Sequence, residues 1–164
     1  MILISLVAGL LAAILIAGRV LSRRHRRHRL KTIEGLAELA PEAFERTIGI
    51  WLGHAGWLVE HRGGSGDEGI DLLAFHGSEV LAIQCKRYQP DGSVAPSYLR
   101  ELYGSASAIG ATSAVLVTTG QLTPRGLDWV ARLPGRQPKF EVISGDRLAA
   151  MARSRRWYSI ADPA

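Results

Sequence analysis

The sequence is poor in cysteine, and its first 31 residues contain no acidic side chain at all. A single cysteine among 164 residues excludes a disulfide framework and a zinc finger. A hydrophobic content of 47% is too high for a disordered tail. The glycine-rich stretch 63–69 lacks the GxxxxGK[ST] arrangement, and no GxGxxG opens a helix, so no nucleotide cofactor is expected. What remains is one modest globular domain without disulfides or a bound nucleotide.

The net charge of +5 is unevenly distributed. Seven basic residues and no acidic residue lie between positions 1 and 31, and the other 133 residues carry 13 basic and 15 acidic side chains. The body of the protein therefore has a net charge of −2, and the excess of positive charge belongs to one short segment. Basicity is for that reason no evidence of a nucleic-acid-binding surface on the folded domain.

Residues 1–21 are apolar enough to span a membrane, with no charge before Arg19. As a helix rising 1.5 Å per residue, about 20 residues cross a hydrocarbon core of roughly 30 Å. No basic residue precedes this run and an Arg/His cluster follows it at 23–29, an order typical of an uncleaved anchor rather than a cleaved signal peptide. The positive-inside rule then predicts a single-pass protein of the cell membrane whose following domain faces the cytoplasm. An alternative role for the cluster is an arm that binds DNA phosphates.

The rest of the chain predicts elements in the order αβββαβαβα. After a basic juxtamembrane linker at 22–39, we expect one domain over 40–153 and a C-terminal tail at 154–164. Strands at 70–75 and 80–86, joined by four residues, are typical of an antiparallel hairpin. The pattern predicts an α/β fold, with a mixed sheet flanked by α-helices.

Three polar side chains interrupt this hairpin where apolar residues would be expected. Asp71 lies at the start of the first strand, whereas Gln84 and Lys86, two residues apart near the end of the second, share a face. The open end of the hairpin brings them together, and a carboxylate and an amide oxygen suit Mg²⁺, for which Mn²⁺ can substitute. The backbone carbonyl of Cys85 is a candidate third oxygen ligand. Lys86 would activate the attacking water or stabilise transition-state charge, and Glu45 on the preceding helix would assist through a water or a second ion.

These residues occur in segments that resemble the Mrr-like restriction endonucleases, a branch of the PD-(D/E)xK nuclease superfamily in which Gln often replaces the second acid. The resemblance covers about 41–152 and rests on segments in the family's order, at 44–46, 66–71, 83–88, 101–104, 117–120 and 143–148. It implies a restriction-endonuclease-like fold that acts on DNA with Mg²⁺. Asp71, Gln84 and Lys86 would be the catalytic set and Glu45 would assist.

The resulting interpretation is a membrane-anchored, Mg²⁺-dependent DNA endonuclease, with a role in restricting foreign DNA or in repair. Arg87, Arg100 and Arg125 are candidate contacts to DNA phosphates, and a homodimer is expected because a domain this small often needs a second copy to cut both strands. Two alternatives stay open. One is a catalytically inactive DNA-binding module of the same fold, which the glutamine at position 84 favours, and the other is a membrane-anchored scaffold for a protein partner.

Overall fold

The computed structural model describes residues 16–19, 30–62, 69–135, 138–155 and 157. Beyond a helical stretch at 16–19, the described helices are α1 (Ile33–Ala37), α2 (Pro41–His54), α3 (Pro96–Ala108), α4 (Pro124–Ala131) and α5 (Gly145–Ser154). The strands are β1 (Leu58–His61), β2 (Leu72–His76), β3 (Glu79–Lys86), β4 (Ser93–Val94), β5 (Ser113–Thr118), β6 (Gln121–Leu122) and β7 (Lys139–Ile143).

Five strands form one mixed sheet in the order β1-β2-β3-β5-β7. The first three strands in this order are antiparallel, and β3, β5 and β7 are parallel, so β3 has an antiparallel neighbour on one edge and a parallel neighbour on the other. The predicted mixed sheet flanked by helices is confirmed. Strands β4 and β6 form a separate parallel pair that the sequence did not predict, because two-residue strands leave no readable periodicity.

Helices cover both faces of the sheet. On the first face, α1, α2 and α5 contribute to a core that includes Phe44, Leu72 and Ile83. On the second face, α3 and α4 pack over Leu73, Ala82 and neighbouring apolar residues. All six residues of β5 are buried, as expected for a parallel strand covered on both sides.

The packed domain extends beyond the predicted domain bounds at both ends. Leu36 in α1 is fully buried in the first core, and α1 packs against α5, so the predicted linker 22–39 overlaps the folded domain. Thr32 caps α1 by accepting the N–H of Gly35 at 3.1 Å. Trp157 is also buried in this core, which brings the start of the predicted tail 154–164 into the domain.

Within the part of the chain that the structure describes, no helix is long and apolar enough to cross a bilayer. The predicted span at 1–21 lies outside the described residues except for 16–19, and the basic cluster at 23–29 lies wholly outside them.

Candidate active site

The backbone of Asp71 is held at the open end of the β2–β3 hairpin. Its N–H donates to the carbonyl oxygen of Ile83 at 2.8 Å, and its own carbonyl accepts the N–H of Arg62 at 2.9 Å. The Asp71 side chain turns toward β3, where Oδ2 accepts the backbone N–H of Cys85 at 2.6 Å. Ile83 and Arg62 therefore fix the backbone of Asp71, and the N–H of Cys85 holds one oxygen of its carboxylate.

Gln84 carries a buried oxygen that no described residue satisfies. The residue is 2% exposed in the middle of the sheet, and among the described residues its Oε1 has no hydrogen-bond partner. A buried polar group without a partner lowers the free energy of unfolding by about 1–3 kcal/mol. This oxygen therefore destabilises the fold unless a cation binds its lone pairs.

Cys85 contributes backbone groups to the site and its side chain to the core. Its side chain belongs to the first core, opposite the face to which Gln84 points. The N–H and C=O of one strand residue face the same edge, so the Cys85 carbonyl lies on the side of Asp71, where its N–H is bonded. Three oxygen donors of different kinds, from Asp71, Gln84 and Cys85, are thus grouped at the end of the hairpin.

Three ionisable groups influence the Cys85 thiol. Burial raises the pKa of this thiol well above its usual value, the negative charges of Asp71 and Glu45 raise it further, and Lys86 lowers it. Glu45 on α2 is therefore near enough to Cys85 to influence its thiol, on the face of the sheet opposite Gln84. The protonated, buried thiol is a poor nucleophile and a suitable core side chain.

Lys86 ends β3 on the face covered by α3. Its Nζ lies 4.5 Å from the ring centroid of Tyr98, in the first turn of that helix. Tyr98 in turn is near Tyr88: burial, followed by the effects of Tyr98, raises the pKa of the Tyr88 hydroxyl.

Helix α3 brings a further acid to the site. Gly69 has a φ of +74°, and a Cβ built there would lie 3.0 Å from Nε2 of Gln84 and 3.1 Å from Cδ of Glu101. Glu101 and Gln84 thus approach the same point. The sequence analysis did not identify Glu101 and Tyr98 as neighbours of the site. Their three-residue spacing does predict that both side chains lie on the same face of a helix.

The predicted arginines lie in three different places. Arg87 turns away from Lys86 toward α1, where its Nη1 donates to the carbonyl of Ala37 at 2.7 Å. Arg100 is exposed on α3, and Arg125 is exposed on α4. The structure does not gather these side chains beside Lys86, and their contact with DNA stays a prediction.

The donor set fits a hard divalent cation. Among the described residues, no group of three His, Cys, Asp or Glu side chains is placed to hold a metal ion, so any site here includes other oxygen ligands or lies partly outside them. Mg²⁺ is usually held by one or two carboxylates together with waters and substrate phosphates. A carboxylate, a buried amide oxygen without a partner among the described residues, and a backbone carbonyl match that requirement.

Comparison with known proteins identifies the family. A family model described as restriction endonuclease (Mrr_cat) matches residues 36–152. No curated protein matches. Among solved structures, the MspJI restriction endonuclease in complex with a 27-mer oligonucleotide is similar, with 22% identity and a TM-score of 0.44 over 88% of this chain and 31% of that chain. This chain thus corresponds to less than a third of the length of that one. Since the family model covers most of the sequence, the chain belongs to the Mrr catalytic-domain family of restriction endonucleases, whose members generally depend on a divalent metal ion.

Proposed function

We propose that this protein is a membrane-anchored, Mg²⁺-dependent endonuclease that hydrolyses phosphodiester bonds of DNA. Its family supports nuclease activity. The observation that carries the proposal for this chain is the buried Oε1 of Gln84, which has no partner among the described residues, next in sequence to Cys85, whose N–H holds the carboxylate of Asp71. A restriction-endonuclease fold without turnover would have no need to keep that oxygen unsatisfied.

The hairpin residues would hold the metal. Asp71, Oε1 of Gln84 and the carbonyl of Cys85 are the proposed ligands, and the hydrogen bond from the Cys85 N–H fixes the direction of the Asp71 carboxylate. When bound, Mg²⁺ or Mn²⁺ supplies Lewis acidity to the phosphate and acidifies a water molecule.

Lys86 and Glu45 would act on the reacting groups. The Lys86 ammonium donates to a phosphate oxygen and stabilises the negative charge that develops there as water attacks. Glu45, on the α2 side, orients the attacking water or assists through a second ion. The exposed Arg100 and Arg125 contact DNA phosphates. Arg87 already donates its Nη1 to the carbonyl of Ala37, so only its other N–H groups could bind a phosphate.

A plasmid-nicking assay tests this reaction. We would purify the full chain in mild detergent and incubate it with supercoiled plasmid in Mg²⁺, Mn²⁺ or EDTA. Asp71→Ala and Lys86→Ala should abolish metal-dependent cleavage, whereas the matched variants Asp128→Ala and Lys139→Ala, both at exposed positions outside the site, should retain it. DNA binding without cleavage in either metal would instead support the inactive binding module, and absence of both would overturn every DNA-directed function.

The membrane part of the proposal rests on the apolar run at 1–21 and the basic cluster behind it. We expect the full chain to stay in the membrane fraction after alkaline carbonate washing, and a chain lacking residues 1–21 to be soluble. Protease added outside intact cells should spare the domain. Recovery of the full chain in the soluble fraction would contradict the anchor.

We also propose that the nuclease restricts incoming DNA and that it forms a dimer. Unmodified plasmid should transform cells that express the protein less efficiently than cells that express Asp71→Ala, and cross-linking on DNA should trap a dimer. Equal transformation efficiencies would instead favour a role in repair.

A further inference from the structure

The ammonium group of Lys86 rests on an aromatic face. Its Nζ lies 4.5 Å from the centroid of the Tyr98 ring, well inside the roughly 6 Å over which a ring attracts a cation. A lysine side chain otherwise has many rotamers, and fixing them has an entropic cost. The ring of Tyr98 therefore limits where this ammonium can lie before any substrate arrives.

Tyr98 is itself held by the surrounding fold. It lies in the first turn of α3, where its N–H donates to the carbonyl of Ala95 at 3.2 Å, and the adjacent Leu99 is fully buried. Its hydroxyl is near enough to Tyr88 to raise the pKa of that residue, after the larger effect of burial. The backbone of Tyr98 is thus fixed by its helix, with Tyr88 as a neighbour of the side chain.

Tyr88 is in turn fixed to the end of β5. The buried Thr119 accepts the Tyr88 N–H at 2.9 Å and donates its own hydroxyl to the Tyr88 carbonyl at 2.7 Å. Tyr98 therefore has as its neighbour a residue that the buried Thr119 ties to the end of the central sheet.

We propose that Tyr98 is a positioning residue for Lys86, holding the ammonium at the end of β3 where the scissile phosphate binds. The inference rests on the proposed nuclease function and extends it to a residue on another element. An ammonium already in place needs no ordering when the substrate binds, and pre-organisation of this kind lowers the activation barrier.

Steady-state kinetics with a conservative variant test the proposal. Tyr98→Phe keeps the ring and should retain kcat within about 3-fold, whereas Tyr98→Leu should lower kcat by about 3- to 30-fold, the range that a cation–π contact of this size supports. KM for DNA and the affinity for Mn²⁺, measured by isothermal titration, should hardly change. An equal loss in both variants, or a loss confined to metal affinity, would overturn the positioning role.

Tyr103→Leu is the matched control. Tyr103 lies on the same helix but packs edge-on against Trp129, at 5.9 Å between ring centroids. Its loss should lower stability without lowering kcat per folded molecule, and a fall in kcat equal to that of Tyr98→Leu would show a general effect of α3 packing.

A second readout does not depend on cleavage. The chain has three lysines, Lys31, Lys86 and Lys139, so ¹³C-methylation of their amines yields a simple NMR spectrum in which Lys86→Arg assigns one signal. That signal should be shifted upfield by the ring current of Tyr98, remain so in Tyr98→Phe, and return to the unshifted position in Tyr98→Leu. An unshifted signal in the native protein would overturn the contact. A shifted signal with no cleavage would overturn the proposed nuclease function, and with it the catalytic purpose of Tyr98.

Discussion

The carboxylate of Asp71 accepts the backbone N–H of Cys85 at 2.6 Å, joining the residue that enters β2 to the penultimate residue of β3. The bond lies just beyond the last paired residues of the hairpin, Leu72 and Ile83. Because the donor is a backbone group of a central strand, this bond ties the direction of the carboxylate to the hairpin. The consequences of altering the site can therefore be separated from those of altering the fold.

Replacing Asp71 with asparagine should remove activity and spare the fold. The amide oxygen of the introduced side chain can still accept the Cys85 N–H, so the free energy of unfolding should change by less than about 1 kcal/mol. Loss of the ligand charge should lower cleavage at least about 100-fold. Plasmid cleavage and urea unfolding measure the two effects, with the exposed Asp128→Asn as control. Near-native activity in Asp71→Asn would rule out a role as charged metal ligand.

Replacing Gln84 with methionine should make the metal-free protein more stable. The thioether has similar length and removes a buried oxygen without a partner, so we expect a gain of about 1 kcal/mol in urea unfolding with EDTA present. Cleavage should be lost. Adding Mn²⁺ should stabilise the native protein but not this variant, and a variant that is less stable in EDTA would show that the oxygen is satisfied.

The ion pair between the buried Glu141 on β7 and the partly exposed Arg147 on α5 should be costly to break on one side only. Glu141 is 6% exposed, so Arg147→Met leaves a buried carboxylate without this partner and should destabilise the fold by about 2–4 kcal/mol. Replacing both residues, with Glu141→Leu added, should recover part of this loss. Denaturant midpoints provide the comparison, and equal destabilisation by the single and double changes would contradict the coupling.

Two glycines should respond to alanine in opposite directions. A Cβ at Gly120 would lie 2.5 Å from the carbonyl oxygen of Gly92, a backbone atom, so Gly120→Ala should destabilise the protein by about 2 kcal/mol or more. Nothing lies within 4 Å of a Cβ at Gly104 in α3, where alanine should add about 0.5–1 kcal/mol through helix propensity. Thermal unfolding of both variants measures whether each is less or more stable than the native protein. A Gly120→Ala protein as stable as the native one would mean that the segments around Gly92 and Gly120 can move apart.

Cys85, the single cysteine of the chain, should be unreactive in the native protein. Burial and the neighbouring carboxylates raise its pKa, so the thiol stays protonated at neutral and mildly alkaline pH. The pKa of this thiol is higher in the folded state than in the unfolded state. Its contribution to the free energy of unfolding is therefore fully present below the unfolded-state pKa and is lost as the pH rises through the folded-state pKa. Iodoacetamide labelling followed by mass spectrometry should require urea, and rapid labelling of the native protein at pH 8 would contradict this.

The sequence predicted those features that depend on local patterns. Alternation and turn residues placed the β2–β3 hairpin, and a two-residue spacing put Gln84 and Lys86 on one face of it. The contacts of Lys86 with Tyr98 and of Arg87 with Ala37 join residues far apart in the chain, and no periodicity encodes them. The burial of Leu36 could not be predicted either, because a five-residue helix is too short to show an amphipathic pattern.

The central position of β3 has a consequence for motion. Strand β3 is hydrogen-bonded along both edges, and its residues from Leu81 to Cys85 are all buried. Amides in such a strand exchange with solvent only when the whole domain opens. The strand that carries Gln84 and Lys86 therefore belongs to the slowest-opening part of the molecule, so any rearrangement on substrate binding has to come from the DNA or from the segments around this strand.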